Sequence, residues 1–115
     1  MPRGSEALAR RSAPIFFALG DETRLGIVTR LCKSGPASIA SLTEDAGVTR
    51  QAVTKHLRIL EDAGLARSTR AGRETSWQLV PAGLDEARAS LDHISEQWDA
   101  ALGRLKAFVE DLEKR

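Results

Sequence analysis

Residues 47–65 read GVTRQAVTKHLRILEDAGL. Thr49 stands where an N-cap stands, its hydroxyl available to the first-turn N–H groups of a helix. From there Ala52, Val53, Leu57, Leu60 and Ala63 recur at three- and four-residue steps and lay one apolar stripe along that helix. Gly64 follows as the C′ residue that ends it. The other face carries Arg50, Gln51, Thr54, Lys55 and Arg58. Short polar and cationic groups of this kind read base edges and bond phosphates in a major groove. An ordinary amphipathic helix also turns such a face to water, so the flanking segments decide between the two readings.

Upstream, the pattern predicts three more helices. Gly20-Asp21 is a break followed by a cap, and a helix over residues 22–33 follows, with Glu22 at its positive dipole end. Leu25, Val28 and Leu31, with Ile27 beside them, form its expected buried side, and Ser34-Gly35-Pro36 ends it. Cys32, in the last turn, reads as a small buried hydrophobe. Ser38 caps a short helix over residues 39–46 that faces Ile39, Leu42 and Ala46 inward. Gly47 then permits the left-handed residue of a tight turn, with Val48 plugging it. A short helix, a glycine turn and a polar-faced helix together make a helix-turn-helix pattern. Residues 6–19 read as a first helix with Leu8, Ile15, Phe16, Phe17 and Leu19 as its apolar content. Pro14 either kinks that helix or lies in its first turn. The adjacent Phe16 and Phe17 serve either the core or a subunit contact.

Downstream of Gly64 the period changes from helical to alternating. Residues 65–70 and 73–79 read as two strands around Ala71-Gly72, with Gly72 supplying the positive φ of a hairpin turn. Thr75, Trp77 and Leu79 share one face at period two, and Trp77 is the expected core anchor. Arg70 and Arg73 tip this hairpin and Arg67 sits at its base, as in a wing that lies along the phosphate backbone or reaches into the minor groove. Pro81 opens a final helix of about 50 Å over residues 82–114. Its apolar residues are Leu84, Ala87, Leu91, Ile94, Trp98, Ala101, Leu105, Phe108 and Leu112, spaced alternately by three and four. So regular a heptad seam on so long a helix predicts a partner helix from a second copy.

The bulk numbers fit this division. At 115 residues the chain amounts to one domain with an extension: a tail over residues 1–5, disordered or left by an engineered protease site; a DNA-binding domain over 6–81; a dimerisation helix over 82–115. The net charge of +1 conceals an asymmetry. Residues 50–73 hold six basic and two acidic side chains, whereas residues 82–115 hold five basic and eight acidic, so the cationic face is local. A single cysteine excludes an internal disulfide and a multi-cysteine zinc site. No apolar run is long enough to span a membrane and no signal peptide is present, which points to the cytoplasm. An enzyme is the weakest reading: there is no glycine-rich phosphate loop, no tyrosine, and no partner for either histidine.

With these segments placed, residues 13–79 resemble the ArsR-type (ArsR/SmtB) winged-helix repressors. The similarity rests on Phe17-Ala18-Leu19-Gly20-Asp21-Glu22-Thr23-Arg24-Leu25 with Ile27-Val28, on residues 49–60 followed by Ala63-Gly64-Leu65, and on the Gly72-Arg73 hairpin with Trp77 and Leu79. Trp98 and Leu102-x-x-Leu105 resemble a subgroup with a long C-terminal helix and no known metal site. The resemblance implies a homodimeric bacterial repressor that binds an imperfect inverted repeat and leaves DNA when an inducer binds. The family's Cys-x-Cys metal site is missing from residues 39–44. Its second site uses Asp and His from one final helix with His and Glu from the other, and this tail has Asp92, His93 and Glu96 but no second histidine. Its dithiol sensors need two cysteines, and Cys32 is alone.

The expectation is therefore a mainly α fold with one β-hairpin: a winged helix-turn-helix flanked by N-terminal and long C-terminal dimerisation helices. Arg50, Gln51, Thr54, Lys55 and Arg58 are expected to read bases, Gln51 suiting adenine and Arg50 or Lys55 guanine. Thr49, Arg67, Arg70 and Arg73 are expected at phosphates. Phe16, Leu84, Leu91, Ile94, Trp98, Leu105 and Phe108 are expected at the dimer interface. The partners are double-stranded DNA and a second copy, with no membrane, metal or cofactor and with the inducer unidentified. A winged-helix protein-interaction module without DNA binding is the alternative, and the charge on residues 50–58 argues against it.

Overall fold

A computed structural model of the chain describes residues 4–114; residues 1–3 of the expected tail and Arg115 lie outside the described residues. The elements run α1 (Gly4–Leu19), α2 (Glu22–Ser34), β1 (Ala37–Ser38), α3 (Ile39–Ala46), α4 (Arg50–Asp62), β2 (Ala66–Ala71), β3 (Glu74–Leu79) and α5 (Pro81–Glu113). α1 starts at Gly4 and runs through Pro14, so no helix begins there. Pro14 lacks the N–H that would bond the carbonyl four residues earlier, and its exposed position leaves that carbonyl to solvent.

The caps read from the sequence are present. The Asp21 carboxylate accepts from Arg24 N at 3.0 Å, and Ser38 Oγ accepts from Ser41 N at 3.1 Å. Gly47 adopts φ 67°, ψ 15°, the left-handed conformation that turns α3 into α4. Around this turn Val53, Leu57, Leu60 and Leu65 are fully buried, with Ile27, Val28, Leu31, Leu42 and Trp77 packed into the same core.

Three side chains depart from the expected burial. The core face of α2 is Arg24, Ile27, Val28 and Leu31, and Leu25 is 50% exposed. At about 100° per residue Leu25 and Cys32 lie together roughly a quarter turn from that face, so Cys32 is also exposed rather than buried. Val48 stays at the surface of the turn instead of plugging it.

The sheet has one strand more than expected. β1 pairs with β3 in an antiparallel sheet of order β1-β3-β2, with Ala37 opposite Trp77 and Ser38 opposite Ser76. The strand is two residues long, too short to carry any periodicity, and Ser38 ends it while capping α3. In the β2–β3 hairpin Trp77 is buried and Leu79 half-buried, but Thr75 is exposed because the strands run out beyond the core.

α5 begins with Pro81 at N1, where its missing N–H costs nothing. Its 33 residues reach about 50 Å. Its buried positions are Gly83, Ala87 and Ser90, small residues that let it lie close to α1 and to the end of α4. Ser12 Oγ donates to the Glu86 carbonyl at 3.4 Å, and Arg11 pairs with Glu86. Beyond Ser90 the apolar seam leaves the protomer's core: Leu91, Ile94, Trp98, Leu102, Leu105, Phe108, Val109 and Leu112 are all exposed.

Candidate nucleic-acid interface

α4 begins where Thr49 Oγ1 accepts from Ala52 N at 3.1 Å. It ends where Leu65 N donates to Leu60 O at 2.9 Å and Gly64 N to Glu61 O at 2.9 Å, with Gly64 at φ 77°. Val53, Leu57 and Leu60 seat it in the core. At about 100° per residue, Arg50, Gln51, Thr54, Lys55 and Arg58 fall within an arc of roughly 140° whose centre lies about 120° around the helix from that of the buried three. Arg50, Gln51, Lys55 and Arg58 are exposed. Thr54 is half-buried and its hydroxyl donates to the Arg50 carbonyl at 3.0 Å, a bond that restrains its side-chain rotation.

The hairpin turns through Gly72 and Arg73, with Gly72 at φ 66° and Ala71 opposite Glu74. Arg70 Nε donates to the Gly72 carbonyl at 3.3 Å, which folds that side chain over the tip. Arg67 stands opposite Gln78 in the ladder. With the Gln78 amide oxygen turned toward it, Arg67 donates from Nε at 2.7 Å and from Nη2 at 2.9 Å. Arg67 is thus tied along the strands, while Arg70 and Arg73 lie at the exposed end. Nothing in a period-two pattern reveals that cross-strand bond.

A second group of residues lies behind α4 and was not singled out as a site by the sequence. Arg24 is buried, and its guanidinium meets Ala18 O, Phe17 O and His56 Nδ1. The signal was a cation on the apolar stripe 24, 27, 28, 31. Beside it, the hydrogen bond from Arg24 N holds the Asp21 carboxyl below the usual carboxylate range; partial burial opposes this and the Arg24 charge assists it. A depressed folded-state value means the contribution is present above the unfolded value of 3.8 and is lost as pH falls through the folded value. Asp21→Ser keeps a capping oxygen without a titration. We expect its unfolding midpoint in urea to fall less than the wild type's between neutral pH and about pH 2. Equal falls would assign the acid sensitivity elsewhere.

Of the seven residues expected at a subunit contact, Phe16 and Leu84 are half-buried against the protomer's own core, and Leu91, Ile94, Trp98, Leu105 and Phe108 are exposed. It is Phe17, 72% exposed, that α1 turns outward. Among the described residues no group of three or more His, Cys, Asp or Glu side chains is placed to hold a metal ion, and no helix is long and apolar enough to cross a membrane.

Comparison with known proteins supports the same reading. A helix-turn-helix domain family matches residues 19–69. The chain is 41% identical to the HTH-type transcriptional regulator Rv2034 of Mycobacterium tuberculosis over 74% of this chain and 76% of that protein. It is 28% identical to the arsenical resistance operon repressor of Escherichia coli, over 88% and 84% of the two chains. Among solved structures, an ArsR-like transcriptional regulator from Rhodococcus sp. RHA1 superposes with a TM-score of 0.76 at 35% identity, covering 89% of this chain and 95% of that one. With its capped turn, polar-faced helix and arginine-tipped hairpin, the chain belongs to the ArsR family of winged helix-turn-helix DNA-binding transcriptional regulators.

Proposed function

We propose that this regulator is a cytoplasmic homodimeric repressor that binds an inverted repeat, with α4 as the recognition helix of each half-site and the hairpin as a wing on the phosphates. The observation that carries it is the arc of Arg50, Gln51, Thr54, Lys55 and Arg58 held outward by the buried Val53, Leu57 and Leu60. Residues 6–81 form the DNA-binding unit and residues 82–115 the helix that pairs two copies. In a symmetric dimer α4 occurs twice, so half-sites fall about one DNA turn, roughly 34–36 Å, or a multiple of it apart. The word repressor in the name of the Escherichia coli relative supports the sign of regulation.

Duplexes selected from a random pool by the wild-type protein test this reading. Gln51→Ala should change which bases are selected at one position in each half-site, because a bidentate amide–adenine pair is lost. Arg70→Ala should weaken binding to all sequences alike and lower the slope of log K against log salt by about one unit. An altered selected sequence for Arg70→Ala would overturn the wing assignment, and no gel retardation at low salt would overturn the function.

A further inference from the structure

Arg24 is the one charged side chain that is buried among the described residues, 8% exposed, and it joins three helices. From α2 its Nε donates to the Ala18 carbonyl at 2.6 Å and its Nη2 to the Phe17 carbonyl at 3.4 Å. Both carbonyls belong to the last turn of α1, where a helix runs out of its own donors, and the Phe17 carbonyl also accepts from Gly20 N at 3.2 Å. The guanidinium lies 5.7 Å from the centroid of the Phe17 ring. Its remaining arm, Nη1, is 3.2 Å from His56 Nδ1 on α4. A guanidinium only donates, so in this contact His56 Nδ1 is the acceptor. Asp21 Oδ2, from the cap of α2, is 3.9 Å from the same Nδ1.

His56 lies between Lys55 and Arg58, on the stretch of α4 whose outer face meets DNA in the reading above. A rigid fork anchored on two fixed carbonyls and ending on that histidine restrains how α4 is rotated about its axis. We propose that Arg24 is a positioning residue for sequence-specific DNA binding, acting through His56 to set the rotation of α4. The inference rests on the assignment of α4 as the DNA-contacting helix. It also gives the end of α1, which carries the exposed Phe17, a direct polar link to the DNA-reading helix.

The test uses the full chain and two duplexes, one selected by the wild-type protein from a random pool and one of unrelated sequence. His56→Phe keeps a ring but removes the acceptor. His56→Asn puts an amide oxygen near the place of Nδ1 and has nothing in the place of Nε2. Arg24→Lys keeps the charge and loses the fork. Loss of a hydrogen bond to a charged donor should lower affinity for the selected duplex about tenfold or more in His56→Phe and Arg24→Lys. Affinity for the unrelated duplex, set by phosphates, should change less than about twofold. His56→Asn should stay close to wild type.

His56→Asn falling as far as His56→Phe would overturn the proposal, because it would mark a direct contact of Nε2 with DNA. Selected-duplex affinity unchanged in Arg24→Lys would overturn it as well, leaving Arg24 a cap of α1. Should a variant fail to fold, long-range proton–nitrogen NMR of the wild type decides: a protonated Nδ1 on neutral His56 overturns the proposal. Wild-type protein that selects no duplex overturns the assignment of α4 itself, which is a different failure.

Discussion

Gly83→Ala is expected to cost about 3 kcal/mol or more of folding stability, at the upper end of what overpacking does. A Cβ built at Gly83 lies 2.3 Å from the Gly64 carbonyl oxygen, 3.0 Å from its carbon and 3.2 Å from Leu65 Cδ2. The first two are backbone atoms and neither can swing aside. Gly64 is held at φ 77° by the end of α4, and Leu65 is fully buried. The added methyl therefore lifts the start of α5 as a body. That movement strains the hydrogen bond from Val80 N to Leu65 O, 2.8 Å, and opens the packing of Ala87 and Ser90. The helix propensity gained by replacing glycine, about 1 kcal/mol, offsets only part of the loss. Gly103→Ala in the same helix is the control: a Cβ there meets nothing within 4 Å, and the variant should gain stability by that amount. Urea unfolding of both variants checks the pair. Wild-type stability in Gly83→Ala would show that α5 does not approach the end of α4 so closely.

Trp98→Glu combined with Phe108→Glu is expected to convert the proposed dimer to monomer and to lower affinity for a full inverted repeat by about 100-fold or more, the avidity lost when two linked contacts become one. Trp98 is 65% exposed and Phe108 61% exposed on the protomer, although both belong to the apolar seam of α5. Exposed apolar residues taken singly need no explanation, but eight of them from Leu91 to Leu112 on one helix mark an interaction surface. A two-fold axis uses every seam residue twice, so each glutamate places two unpaired charges in the contact. Sedimentation measures the mass and gel retardation the affinity for full and half sites. Half-site affinity should be almost untouched, because the α4 face and the hairpin are remote from both substitutions in sequence, and Trp98 and Phe108 stand on the bare part of α5. A wild-type protein that sediments as monomer at micromolar concentration would sink the assignment of α5.

Much of this was legible in the chain because it rests on local rules. A capping hydroxyl or carboxylate acts within three residues, so Asp21, Ser38 and Thr49 announce the starts of α2, α3 and α4. The stripe Val53, Leu57, Leu60 shows which side of α4 is buried, and so which side carries Arg50, Gln51, Lys55 and Arg58. Gly47 and Gly72 mark the turns because only glycine adopts a positive φ without strain. The three-four spacing of α5 shows its apolar side over the whole length.

What the sequence by itself determined is thus the order of the helices and the hairpin, the caps of α2, α3 and α4, and the polar face of α4, all consequences of forces acting over one or two turns. Tertiary structure alone decided the rest. It paired Ala37–Ser38 with β3, tied Arg67 to Gln78, and turned Leu25 and Cys32 outward while drawing Arg24 in. It brought Gly83 onto Gly64 and divided the α5 seam into a part covered by α1 and a part left bare. Each depends on a partner distant in the chain. Burial, register and the pairing of a charge are set by the neighbour that folding supplies, and a side chain's own type and spacing do not name that neighbour.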